Sequence, residues 1–134
     1  MSEGQGVGDG ADDAYVMPAY VKLLSSDAAR ARAFYQALGF QLRQADPVFT
    51  HLRWARHADL FLVAAPPGLP LPAPRGAGVI VCFSALERDL DALAQLARAA
   101  GAAALDGPRV QPWHTRELLV TDPDGYRVAF VQPT

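Results

Sequence analysis

Ser26-Asp27-Ala28-Ala29-Arg30-Ala31-Arg32-Ala33-Phe34-Tyr35-Gln36-Ala37-Leu38-Gly39-Phe40 decides the fold, because it reads as a helix with both ends marked. The Asp27 carboxylate can accept from the free N–H groups of the first turn, so Ser26-Asp27 reads as the N-cap. Ala28–Leu38 reads as helix, and Gly39 as the left-handed residue that ends it. Just before it, residues 20–24 alternate as a strand should. The same order returns later. Residues 79–83 form a β-branched strand, and Ser84 and Glu87 are spaced as a capping box. Leu86, Leu90, Leu93, Ala97 and Ala100 make one apolar helical stripe that Gly101 stops. Asp27 recurs as Asp89 and Gly39 as Gly101, both at an offset of 62 residues. The shared order of elements points to an internal duplication.

Strand-like segments follow each helix. Residues 49–54 and 59–63 flank the turn Ala55-Arg56-His57-Ala58. Residues 116–121 and 127–132 flank Asp122-Pro123-Asp124-Gly125, where proline presets φ and glycine accepts a positive φ. Between the halves, residues 65–78 hold five prolines and read as an extended connector. Residues 1–14 lack periodicity and read as a disordered tail. The expected organisation is one α+β domain over residues 15–134, with units at about 16–66 and 78–132.

The 134 residues suffice for a single core. No apolar run is long enough to span a bilayer, and the N-terminus lacks the basic-then-apolar order of a secretory signal. Cys82 is the only cysteine, which excludes an internal disulfide and points to a reducing cytoplasm. Of the 14 acids, four lie in the first fourteen residues, leaving ten against 12 bases. That weakly positive body is not the footprint of a nucleic-acid binder.

The quoted helix, with its Phe34-Tyr35 and Leu38-Gly39-Phe40, resembles the first helix of the glyoxalase/bleomycin resistance/dioxygenase (vicinal oxygen chelate) superfamily. Thr121-Asp122-Pro123-Asp124-Gly125-Tyr126-Arg127-Val128-Ala129-Phe130 is similar to its last hairpin. Gln111-Pro112-Trp113 with Arg116-Glu117 resembles the bleomycin-resistance branch. The resemblance covers about residues 16 to 132. It implies two tandem βαβββ units curved into a half-barrel sheet around a cleft, and a homodimer. It also implies four inward metal-ligand positions, which fall here on Tyr20, Phe61, Ile80 or Cys82, and Ala129. A divalent ion needs several O, N or S donors at close range, and this set cannot supply them. His51, in a strand, and His57, in a turn, read as lone structural histidines. His114 and Glu117 are three apart, so in a strand they point to opposite faces and do not chelate one ion.

What remains is an apolar cleft without metal or other cofactor. Tyr20, Phe61, Trp113 and Trp54 are its candidate walls, because aromatic faces bind planar ligands through buried area and stacking. Phe61 reads equally as core, and Trp113 reads as an entrance residue. Lys22 shares alternation with Tyr20: it is either solvated or faces inward with a carboxylate partner from protein or ligand. Cys82 completes the candidate binding set. The leading expectation is a metal-free binder of an aromatic or amphipathic small molecule, with antibiotic sequestration as its sharpest form. The near-neutral body weighs against that form, since binders of this branch resemble acidic receptors for a cationic drug. A divergent metal-dependent lyase, isomerase or dioxygenase is the alternative, and a dimeric interaction module without ligand the third. No nucleic-acid or membrane partner is expected.

Overall fold

Asp27 and Asp89, which are 62 residues apart, cap the two helices among the described residues. A computed structural model describes residues 15–134; the expected tail lies outside the described residues. β1 (Val21–Ser25) leads into α1 (Ala28–Leu38), followed by β2 (Gln41–Ala45), β3 (Phe49–Ala55) and β4 (Ala58–Ala64). After the connector come β5 (Val81–Ser84), α2 (Leu90–Ala99), β6 (Ala104–Val110), β7 (Thr115–Thr121) and β8 (Arg127–Pro133). The two sheets have the same order, β1-β4-β3-β2 and β5-β8-β7-β6. In each, the first and last strands pair in parallel and the others antiparallel. The chain is therefore two tandem βαβββ units with curved, unclosed sheets.

The caps show how local chemistry places the helices. Asp27 Oδ1 accepts from the Arg30 N–H at 3.1 Å. Asp89 Oδ1 accepts from Asp91 and Ala92 at 2.9 and 3.2 Å. The expected capping box at Ser84 and Glu87 does not form. Ser84 Oγ instead accepts from the Leu86 N–H, Leu86 has φ +58°, and the helix begins at Leu90. Asp89 prevails because it satisfies two N–H groups of the first turn. Leu86 consequently leaves the apolar stripe and stands 52 % exposed. Gly39 ends α1 at φ +115°. A Cβ there would lie 2.5 Å from Arg88 Nη1, and Arg88 donates from Nη2 to the last-turn carbonyl of Leu38. One glycine thus serves both the turn and the cationic cap of the helix C-terminus.

Both helices cover one side of the sheets. α1 buries Ala31, Phe34, Tyr35 and Leu38, and α2 buries Leu90, Leu93, Ala94 and Ala97. They meet the alternate residues Leu23, Leu52, Leu60 and Leu62 of the first sheet and Leu118, Val120, Val128 and Phe130 of the second. Phe40 sits at the junction, with ring centroids 5.0 to 6.4 Å from Trp54, Phe83 and Phe130. Polar bonds lock the units together. Tyr35 Oη donates to Asp122 (2.6 Å), Tyr126 Oη to the Leu24 carbonyl (2.8 Å), and Ser25 Oγ to Asp124 (2.5 Å). Among the described residues, no helix is long and apolar enough to cross a membrane.

Candidate functional site

Because the strands alternate, the residues between the core positions present a second face that no helix covers. On the first sheet this face carries Lys22, Phe61, His51, Arg53 and Asp59, with Tyr20 just ahead of β1. On the second it carries Cys82, Ala129, Glu117 and Arg127. Phe61 is half-buried. The His51 ring stacks on it at 4.4 Å and 8° between planes, and the half-exposed Tyr20 ring lies 5.2 Å away. Lys22 is the direct strand partner of Phe61, and its ammonium lies 5.9 Å from the Phe49 ring. Lys22 makes no ion pair with a carboxylate among the described residues. A cavity of about 290 Å³ runs between Tyr20, His57 and Asp59 on one side and Val81 to Ser84 on the other. It joins the two units at this face.

At the end of the first sheet a polar group is fully satisfied from within. The Asp59 side chain is inaccessible, and Oδ1 accepts from His51 Nε2 (2.7 Å) and Arg53 Nε (2.9 Å). Oδ2 accepts from Tyr15 Oη at 2.6 Å. Burial pushes this carboxyl up, but the bonds from Tyr15, Arg53 and His51 outweigh it and hold it below the usual carboxylate range. The Tyr15 ring lies 3.6 Å from the Arg53 guanidinium and stacks against His57. Sequence reasoning missed this cluster. Folding the chain about the turn at 55–58 sets Arg53 opposite Asp59, so that pair had a signal. Tyr15 had none, since it is 44 residues from Asp59.

The sequence-predicted site residues divide. Tyr20, Phe61, Lys22 and Cys82 share the uncovered side. Trp54 does not: it is 9 % exposed on the helix-facing side, where its Nε1–H donates to the Ser84 carbonyl at 2.7 Å. An indole flanked by Phe40 and Phe130 serves the core, not a cleft wall. Trp113 is 62 % exposed in the turn before β7, its Nε1–H donating to Glu117 Oε2 at 3.0 Å. Trp113 therefore lies outside the core. The Cys82 thiol is pushed up by burial and then by the Glu117 carboxylate, which keeps it protonated.

The register also settles which first-strand residues border the closing positions. Cys82 lies beside Ala129, and Lys22, not Tyr20, beside Phe61. Neither pair offers two metal donors, and no three His, Cys, Asp or Glu side chains converge among the described residues. The residues at these paired positions do not fit a divalent ion, which needs several O, N or S donors at close range.

The model of the Glyoxalase/Bleomycin resistance protein/Dioxygenase superfamily matches residues 18–130. Among curated proteins there is no match. Solved structures are similar throughout. A bleomycin resistance determinant encoded on the transposon Tn5 superposes with a TM-score of 0.64 at 25 % identity, covering 86 % of this chain and 96 % of that one. TnmS3, an antibiotic binding protein from Streptomyces sp. CB03234, gives 0.63 at 25 %, covering 92 % and 98 %. A bleomycin-binding protein complexed with bleomycin gives 0.61 at 25 %, covering 84 % and 95 %. With two βαβββ units and a family match over most of its length, the chain belongs to the Glyoxalase/Bleomycin resistance protein/Dioxygenase superfamily.

Proposed function

We propose that this protein is a metal-free binder of aromatic or amphipathic small molecules, and that sequestering an antibiotic is its sharpest form. The observation that carries the reading is the uncovered aromatic side of the first sheet. There Tyr20 lines the cavity between the units and its ring lies 5.2 Å from Phe61, while the stacked Phe61–His51 pair lines a second cavity of about 120 Å³ with Gln44, Asp46 and Phe49. A planar ligand gains buried area and stacking at such a surface. Residues that cannot hold an ion at the four superfamily positions favour binding over metal-assisted chemistry. The bleomycin and antibiotic binders among the similar structures support the ligand class. Tyr20, Phe61, Lys22 and Cys82 form the proposed site, with Trp113 as an outlying wall. The protein works as a homodimer: β2 and β6 are open sheet edges, and Val110 on β6 is 62 % exposed. A monomer by sedimentation at micromolar concentration would contradict that assembly. The lone thiol of Cys82 fits a reducing cytoplasm.

The test is a melting titration against aromatic antibiotics, bleomycin among them. A ligand at 100 times its Kd adds about 2.7 kcal/mol of stability. Phe61→Ala should weaken that ligand by about 2 kcal/mol, or roughly 30-fold. Stabilisation that Phe61→Ala leaves unchanged would place the ligand elsewhere.

A further inference from the structure

Another cavity lies at the second unit, lined by none of the residues of the aromatic site. It measures about 370 Å³ and lies where the connector crosses the β7–β8 hairpin. Pro74, Arg75, Ala77, Gly78, Thr121, Gly125 and Arg127 line it, so its only ionisable walls are two arginines. Thr121 and Arg127 are direct strand partners, which sets a hydroxyl beside a guanidinium. Arg127 has no carboxylate partner among the described residues. Arg75 is mostly covered, and its nearest carboxylate, Asp124, stands 3.6 Å from Nη1. Nη1 is buried without a hydrogen-bond partner among the described residues. Asp124 cannot neutralise the cavity as a whole. Its side chain is 2 % exposed, and its oxygens already accept from Ser25 Oγ, Ser26 N and Ser26 Oγ, with Arg30 at 3.8 Å.

Two guanidinium groups, of which only that of Arg75 faces a carboxylate among the described residues, together with the Thr121 hydroxyl make a receptor for a compact oxyanion. Guanidinium forks match the paired oxygens of phosphate and carboxylate. We propose that this cavity binds a phosphoryl or carboxylate oxyanion through Arg127, Thr121 and Arg75. The site is independent of the aromatic side, so it stands or falls apart from the function proposed above. It takes either a free oxyanion or the acidic group of a larger ligand.

Calorimetric titration of the full chain with inorganic phosphate and with phenyl phosphate tests this, each at ionic strength matched by sodium chloride. Both probes should bind the wild type. Arg127→Gln should weaken each about tenfold, as the loss of one charge-assisted pair requires, and Arg127→Glu should abolish binding. Arg127→Lys should fall between wild type and Arg127→Gln. Equal affinity for the two probes marks a free oxyanion, and tighter phenyl phosphate an organic one. Phosphate also stabilises folds by exclusion from their surfaces, so a melting shift alone does not count. No heat of binding in the wild type, or affinity unchanged in Arg127→Gln and Arg127→Glu with melting temperatures intact, would overturn the proposal.

Discussion

The β3–β4 and β7–β8 hairpins occupy the same place in the two units, and each buries an aspartate beside its turn. They solve the burial differently. Asp59 is matched by charge, with Arg53 and His51 on one oxygen and Tyr15 on the other. Asp122 has no cation among the described residues. It accepts from Tyr35 Oη and from the backbone N–H groups of Asp124 and Tyr126. Burial raises the Asp122 carboxyl, with Asp124 adding to the rise, despite the bonds from Tyr35 and the backbone. The first hairpin thus holds a charge-compensated cluster on the uncovered side, and the second a hydrogen-bonded brace between the units. Equivalent topology does not confer equivalent chemistry.

Replacing each carboxylate by its amide breaks the comparison most sharply. Asp59→Asn keeps the shape but leaves the partly buried Arg53 uncompensated, which should cost about 3 kcal/mol. Asp122→Asn keeps an oxygen for both backbone donors, and the Tyr35 hydroxyl can rotate to accept from the new amide. Its cost should stay under about 1 kcal/mol. Urea denaturation of the two variants checks the order, and equal losses would show that Arg53 is not the source of the difference.

Acid titration sharpens the same contrast. The folded-state value of Asp59 is depressed, so its stabilisation is fully present above the unfolded value of about 3.9. It is lost as pH falls through the lower folded value. The folded-state value of Asp122 is raised, so the native state holds its proton longer, and stability falls as pH rises from about 4 through that raised value. Asp59→Asn should therefore flatten the loss of stability below about pH 4. Asp122→Asn should remove a decline that begins near that pH and leave the acid limb in place. Urea midpoints measured from pH 2.5 to 7 separate the two.

Both hairpins were readable in the sequence, but only one of the two turns writes its backbone conformation locally. Asp122-Pro123-Asp124-Gly125 writes its conformation locally, and Gly125 indeed takes φ +100°. Ala55-Arg56-His57-Ala58 places the non-glycine His57 at φ +63°, held by Tyr15 and Val16 far back in the chain. α1 was legible for the same local reason, through its cap at Asp27, whereas α2 was legible from its apolar stripe but is capped by Asp89 and not by the expected Ser84–Glu87 box. β2 and β6 were not, because both are edge strands with mostly exposed residues and little apolar alternation to mark them. Trp54 misled because periodicity alone does not say which side of a strand the helices will cover. Trp113 offers the smallest test. Exposed as it is, Trp113→Ala should change stability by less than about 1 kcal/mol, while lowering ligand affinity if the outlying wall is used.

The central claim is binding by the uncovered side without metal, and one titration meets it directly. Protein stripped with a chelator and verified metal-free by elemental analysis is titrated calorimetrically with an aromatic ligand found in the melting experiment. The account predicts the same affinity before and after stripping, with no change on adding zinc, iron or manganese. Binding that disappears on stripping and returns with one equivalent of a divalent ion would contradict it.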